Sequence, residues 1–212
     1  MKQILALFDF DGTLVPGDSI VAYLKLALQK GYVDSITLAG DAFVALLGYA
    51  KLVSFEKGKT HALKFLRKLT PEQRAAFDAQ FVRETLARAH PAGLARIAWH
   101  KAQGHVVALC SASTRQYMTQ IGSALGADCV IASTQDENGA VLENCSGETK
   151  ARRIRETFPN ADYAASYAYG DSASDLAMLR LVGHPYRAGE DKTLVKAGIP
   201  PFDFTCPDSQ DK

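Results

Sequence analysis

The sequence predicts an α/β fold, a doubly wound parallel sheet with an inserted helical unit. Three observations predict it. From His90 onward, short β-branched or apolar runs alternate with helical patterns, as successive βαβ units do. One further strand-like run, Leu5-Ala6-Leu7-Phe8, stands alone near the start and leads into Asp9-Phe10-Asp11-Gly12-Thr13. Between the two lies a stretch that is helical throughout and interrupts the alternation. Residues 1–15 and 90–212 are therefore assigned to the α/β core, and residues 16–89 to an inserted helical cap.

Each element has a local reason. The run from Leu5 to Phe8 is apolar and short enough for a buried strand. In an extended segment positions i and i+2 face the same way, so Asp9 and Asp11 can serve one pocket while Phe10 points elsewhere. Gly12 allows the sharp turn that follows. Pro16 and Gly17 punctuate a loop, and Asp18 or Ser19 can cap the helix after it. Val21, Leu24 and Leu28 form one helical stripe, Phe43, Leu46 and Leu47 a second, and Ala62, Phe65, Leu66 and Leu69 a third. Thr70 caps a fourth helix, with Pro71 at its first position. After His90-Pro91 the pattern changes. A helix over 92–103 stops at Gly104, a strand runs from His105 to Cys110, and Ser111-Ala112-Ser113 is a polar turn before a helix from Thr114 to Leu125. Cys129-Val130-Ile131 reads as a strand and Asp136-Glu137-Asn138-Gly139 as a hairpin turn. A basic helix over 150–158, an extended segment over 163–169, a helix over 172–181 and a short strand over 184–188 complete the series.

Composition narrows the function. At 47% hydrophobic and 22% charged, the 212-residue chain has an ordinary globular make-up. A formal net charge of +1 gives no reason to expect a nucleic-acid or membrane partner. Cys110, Cys129, Cys145 and Cys206 show no CxxC spacing, so free thiols in a reducing, cytoplasmic compartment are expected. The start of the chain does not read as a signal peptide, because its apolar run soon meets Asp9 and Asp11. The apolar segment from Ile36 to Val53 is interrupted by Asp41 and Lys51, so a helix buried between helices is expected there rather than a membrane span.

In doubly wound sheets ligands bind beyond the carboxyl ends of the strands. Three predicted strand ends carry polar groups: Asp9 with Asp11, Ser111 with Ser113, and Gly170-Asp171-Ser172-Ala173-Ser174-Asp175. Lys150 begins a helix between the second and the third. Parallel topology brings all of these to one edge. Acidic groups from the first and last suit a hard cation, while a hydroxyl, a lysine and helix N-terminal amides suit a phosphate.

Taken in order, Asp9-Phe10-Asp11-Gly12-Thr13, Ser111, Lys150 and the segment from Gly170 to Asp175 resemble the four motifs of the haloacid dehalogenase superfamily. The helical insert directly after the first motif resembles that superfamily's first (C1) cap type. Within the superfamily the chain is similar to the phosphoserine-phosphatase-like subfamily, IB. The resemblance implies a phosphoric monoester hydrolase. Such an enzyme is a Mg²⁺-dependent phosphatase that acts on a small phosphomonoester through an aspartyl phosphate, as a monomer or homodimer. Under it, Asp9 is the nucleophile. Asp11 protonates the leaving alkoxide and then takes a proton from the hydrolytic water, and Lys150 bridges Asp9 and the phosphoryl group. Thr13, Ser111, the Ala112 amide and Lys150 hold phosphate oxygens. The Asp9 and Asp171 carboxylates and the Asp11 carbonyl bind Mg²⁺, with Asp175 orienting a metal-bound water.

The resemblance thins where substrate is chosen. Asp18 stands where phosphoserine phosphatases carry a glutamate for the substrate's amino group. Their cap arginine, which binds the substrate carboxylate, matches Ala62 here, flanked by His61. Asp18 and His61 are thus the candidate substrate residues of the cap. Ala112-Ser113 replaces the glycine pair of close phosphoserine relatives. A missing guanidinium fork argues against phosphoserine as the main substrate. The alternatives are phosphoserine phosphatase proper, a phosphatase of lipid phosphates such as phosphatidylglycerophosphate, a phosphomutase, and a non-catalytic phosphate-binding module. The intact set Asp9, Asp11, Lys150 and Asp171 speaks against the last.

Overall fold

The computed structural model describes residues 2–36, 40, 55–136 and 139–202. Its strands are β1 (Leu5–Phe8), β2 (Val106–Thr114), β3 (Cys129–Gln135), β4 (Val141–Glu143), β5 (Tyr167–Gly170) and β6 (His184–Arg187). They form one sheet in the order β4-β3-β2-β1-β5-β6, parallel throughout except that β4 turns back antiparallel on β3. The order places β1 in the middle, where the chain reverses its winding direction and crevices form. All four residues of β1 are fully buried. Leu5 and Leu7 join an apolar cluster on one face of the sheet, and Ala6 and Phe8 join the cluster on the other. A strand covered on both faces reads as a continuous apolar run, which is what this stretch shows.

Among the described residues, only helices lie between β1 and β2: α1 (Ser19–Gln29), α2 (Phe55–Ala62), a 3₁₀ segment (Lys64–Lys68), α3 (Pro71–Leu86) and α4 (Pro91–Ala102). Then come α5 (Arg115–Leu125), α6 (Gly147–Thr157), α7 (Leu176–Leu179) and α8 (Lys192–Lys196). Asp18 is the cap of α1, accepting the amides of Ile20 and Val21. Thr70 and Gln73 form a reciprocal capping box at α3, ahead of Pro71. The Tyr23 ring of α1 packs against Phe65, Phe77 and Phe81, and against Tyr117 of α5. The apolar cluster is therefore continuous from the helical insert to the sheet. At its polar edge Tyr23 donates to buried Asp78 at 2.5 Å, and Gln116 donates to the other Asp78 oxygen at 2.7 Å.

The structure departs from the sequence expectation in several places; among them, the basic helix expected over 150–158 begins earlier, at Gly147, the strand expected at Cys129–Ile131 runs on to Gln135, and the stripe from Ala62 to Leu69 is split between the end of α2 and a 3₁₀ segment. Val21 is exposed although Leu24 of the same stripe is buried, because the buried face of α1 is centred on Ser19, Tyr23, Leu26 and Ala27. The strand expected to end at Cys110 runs on to Thr114, since β2 resumes pairing with β3 after a bulge between Ser111 and Thr114. The helix expected over 172–181 is a 3₁₀ turn (Ala173–Asp175) followed by the short α7, because Asp175 folds back onto the Ser172 amide. The extended segment expected from Tyr163 starts only at Tyr167, as Ser166 turns to bond Asp162. The helix α8 was not expected; Asp191 caps it. The stripe of Phe43, Leu46 and Leu47, most of the Ile36–Val53 segment, Glu137, Asn138 and Cys206 lie outside the described residues. Among the described residues no helix is long and apolar enough to cross a membrane, and Cys110, Cys129 and Cys145 are free thiols.

Candidate active site

The polar groups converge at the carboxyl end of β1. The Asp9 amide donates to the Tyr169 carbonyl at 2.8 Å, carrying the ladder to β5 one residue past the strand. The turn that follows is closed by Gly12 N–H to Val15 O and Leu14 N–H to Phe10 O, both at 2.9 Å. Gly12 has φ +77°, and a Cβ there would lie 2.2 Å from Asp171 Oδ2. Both the left-handed backbone and the close approach of Asp171 require glycine. Gly170 is constrained by close approach alone, since its Cβ would meet that of Asp175 at 2.6 Å.

Lys150 lies in the first turn of α6 with its side chain 1% exposed. Its Nζ donates to Asp9 Oδ1 at 2.8 Å and to Asp175 Oδ1 at 2.5 Å. The other oxygen of Asp175 accepts the amides of Asp171 and Ser172, each at 3.2 Å, and the Ser172 hydroxyl at 3.3 Å. Both Asp175 oxygens are thus engaged, and the group acts as a fixed post behind Lys150. Asp171 has no ion pair among the described residues. Oxygens of Asp9, Asp171 and Asp175 lie within 4.8 Å of one another. Three carboxylates against one ammonium leave two negative charges, which a divalent cation with oxygen ligands would match.

The electrostatics agree with that surplus. Burial, then the nearby Asp175, hold the Asp9 carboxyl well above the usual carboxylate range, and Lys150 pulls it back only in part. Burial and Asp175 likewise push Asp171 up to about 7. Burial works against the charge on Lys150, but Asp175 and Asp9 outweigh it and keep the ammonium protonated.

Asp11 takes different partners from Asp9. β1 ends at Phe8, so the strict alternation of a strand lapses before Asp11 is reached. Its Oδ1 accepts the Ser19 amide at 2.8 Å, and its Oδ2 accepts the hydroxyls of Ser19 at 2.9 Å and Ser113 at 2.6 Å. Ser19 Oγ also lies 3.1 Å from the Tyr117 hydroxyl. Burial raises the Asp11 carboxyl above its ordinary value, against the downward pull of Ser113 and Ser19. The two carboxylates remain close enough for Asp11 to raise Asp9.

Ser111 is buried in the bulge of β2 and accepts the Ser113 amide at 3.0 Å, which leaves its own O–H to donate. It does not cap α5, whose cap residue is Thr114. The Ala112 carbonyl accepts Ser133 Oγ at 2.5 Å and Lys59 Nζ at 2.6 Å. Thr13 is buried, with its hydroxyl 3.4 Å from Asp9 Oδ2. The two expected cap residues lie outside the carboxylate cluster. Asp18 is exposed and caps α1, and His61 shares a 3.0 Å hydrogen bond with Lys64. Sequence reasoning did not pick out Ser19, Ser113 as a partner of Asp11, or Lys59. Ser113 was visible in the Ser111 motif; Lys59 carried no local signal, since its partners lie far along the chain.

The family model described as haloacid dehalogenase-like hydrolase matches residues 6–180. The chain is similar to a Mycobacterium tuberculosis protein named "probable phosphatase", at 31% identity over 95% of this chain and 76% of that protein. Among solved structures it is similar to a Bordetella pertussis protein of unknown function, with TM-score 0.84, 22% identity and coverage of 96% and 100% of the two chains. A substrate-bound phosphoserine phosphatase complex matches with TM-score 0.61, 18% identity and coverage of 94% and 99%. At these identities the structural likeness shows a shared fold.

Proposed function

The chain belongs to the haloacid dehalogenase-like hydrolases, and we propose that it is a divalent-metal-dependent phosphatase of small phosphomonoesters that works through an aspartyl phosphate. The observation that carries this reading is Lys150 held between Asp9 and Asp175, with Asp171 beside them. The named phosphatase among its relatives supports it.

Asp9 attacks phosphorus with the carboxylate oxygen that Lys150 does not hold, and the bond to the leaving alkoxide breaks. Lys150 neutralises charge as it moves from nucleophile to phosphoryl oxygens. The Ser111 hydroxyl, the Ala112 amide and Thr13 hold those oxygens. Asp11, kept protonated more readily by its burial, gives its proton to the alkoxide. Having lost it, Asp11 takes a proton from the water that attacks the acyl phosphate, which frees Asp9 and inorganic phosphate. Ser19 and Ser113 hold Asp11 for both steps. Mg²⁺ fits the oxygen donors of Asp9, Asp171 and the Asp11 carbonyl, and when bound it supplies charge neutralisation for the phosphate. Asp175 fixes Lys150 and the Asp171 backbone. Residues 16–89 act as the cap that covers this edge, and a small-molecule ester is the substrate class.

The test is hydrolysis of nitrophenyl phosphate by the purified chain with Mg²⁺ and with excess chelator. Activity is expected only with the cation. Asp171 keeps its proton up to about 7 without metal, so protons compete with Mg²⁺ at lower pH. The half-saturating Mg²⁺ concentration should then rise as pH falls below that value, by about tenfold per unit for each displaced proton, and the raised Asp9 carboxyl adds to the competition. Full activity in chelator, or metal affinity indifferent to pH, would contradict the reading.

A further inference from the structure

We infer that Lys59 is a specificity-determining residue whose ammonium receives a second negative group on the leaving-group side of the substrate. The preferred substrates are then phosphomonoesters of alcohols that themselves carry a carboxylate or a second phosphate. The inference rests on the phosphatase reading above.

Lys59 lies in α2 of the insert and reaches across to the core. Its Nζ donates to the Ala112 carbonyl at 2.6 Å and to Asn144 Oδ1 at 2.6 Å. Both acceptors are neutral. An ammonium has a third N–H to give. Among the described residues no carboxylate lies within ion-pair distance of Lys59. A charge drawn from water without a counter-ion is costly, and an arriving anion relieves that cost. Burial lowers the Lys59 pKa, and Asp18 and Asp11 offset this only in part.

The position points to the leaving group. Ala112 directly follows Ser111, the hydroxyl assigned to the phosphate. Asp11, assigned to protonate the leaving oxygen, is among the charges acting on Lys59. Lys150 cannot serve a second substrate anion, because Asp9 and Asp175 already hold it. The competing role is mechanical. Lys59 would then be a strut fastening α2 to the bulge of β2, beside the 2.9 Å bond from the Val141 amide to Thr60 Oγ1. A strut responds to none of the charges on a substrate.

The experiment uses the full chain with Mg²⁺ and three chain-matched esters: propyl phosphate, its analogue ending in a carboxylate, and propanediol bisphosphate. Wild type should favour the two charged esters in kcat/KM by about tenfold or more, the scale of one charge-assisted contact. Lys59→Gln should cut that preference about tenfold, chiefly through KM, and Lys59→Arg should restore most of it. The inference is overturned if wild type shows no preference for the charged esters, if Lys59→Gln leaves the preference intact, or if Lys59→Gln slows all three esters alike. The first of these comparisons needs no variant. If neither these esters nor nitrophenyl phosphate is hydrolysed, the phosphatase reading itself fails and takes this inference with it.

Discussion

Asp9→Asn is expected to fold normally and to turn over roughly 10⁴-fold or more slowly than wild type, the scale for removing a nucleophile from a site that acts as a unit. An amide oxygen cannot form the acyl phosphate, and an amide is a poor ligand for a hard cation. Stability points the other way. Burial and Asp175 hold the Asp9 carboxyl above its ordinary value, so its ionised form opposes folding in the absence of a cation at neutral pH. Replacing it with a neutral isostere removes that opposition, while Lys150 keeps its 2.5 Å contact to Asp175. The melting temperature in chelator should therefore equal or exceed that of wild type at pH 7. Wild-type turnover, with deamidation excluded by mass, would remove Asp9 from its role; a collapsed fold would show that its charge is structural.

Asp11→Asn separates the proton carrier from the nucleophile. The side chain is tied to Ser19 and Ser113, whose hydroxyls can turn to donate or accept, so an amide can occupy the same place. The carbonyl assigned to the cation survives the change, and Mg²⁺ affinity should stay close to wild type. The rate should fall roughly 10²–10⁴-fold, the range for a lost general acid–base. An alkyl phosphate, whose alkoxide needs the proton, should suffer most. Nitrophenyl phosphate, whose leaving group is stable without it, should suffer less in the first step. Attack of water on the acyl phosphate still needs the base, so with nitrophenyl phosphate the variant should give a burst followed by a slow steady state. Equal slowing of both esters without a burst would leave Asp11 as a structural carboxylate.

What the sequence shows of this site depends on how local each signal is. Asp9, Asp11 and Gly12 are adjacent, and the apolar run before them marks a strand end, so their place was legible. Lys150 and the Asp171–Asp175 segment were legible because each begins a helical turn after a strand or loop, and parallel topology gathers such points on one edge. Asp9 and Asp11 do not keep the alternation of a strand, because β1 ends at Phe8 and the insert's first helix supplies Asp11 with Ser19. The Ser111 bulge was read as a turn because pairing with β3 resumes only at Thr114, a register no local pattern reveals. Lys59 was not legible at all. Its partners Ala112 and Asn144 stand 53 and 85 residues away, and only the packing of α2 against β4 brings them together. In the first helical stripe Leu24 is buried as expected and only Val21 turns out to solvent, because Tyr23 and Leu26 face the aromatic cluster and tertiary packing rotates the buried face toward them.

The proposed chemistry turns on one covalent bond, between Asp9 and phosphorus. The direct measurement is to quench the enzyme during turnover of nitrophenyl phosphate in acid, reduce it with borohydride, and map the peptides by mass. An acyl phosphate at position 9 is reduced to homoserine there, and the yield should rise in Asp11→Asn, where breakdown of the intermediate is slow. Homoserine at position 9 that appears only with substrate and cation is the expected result. A turning-over enzyme with no modified residue, or with the phosphoryl group on Ser111 instead, would contradict it.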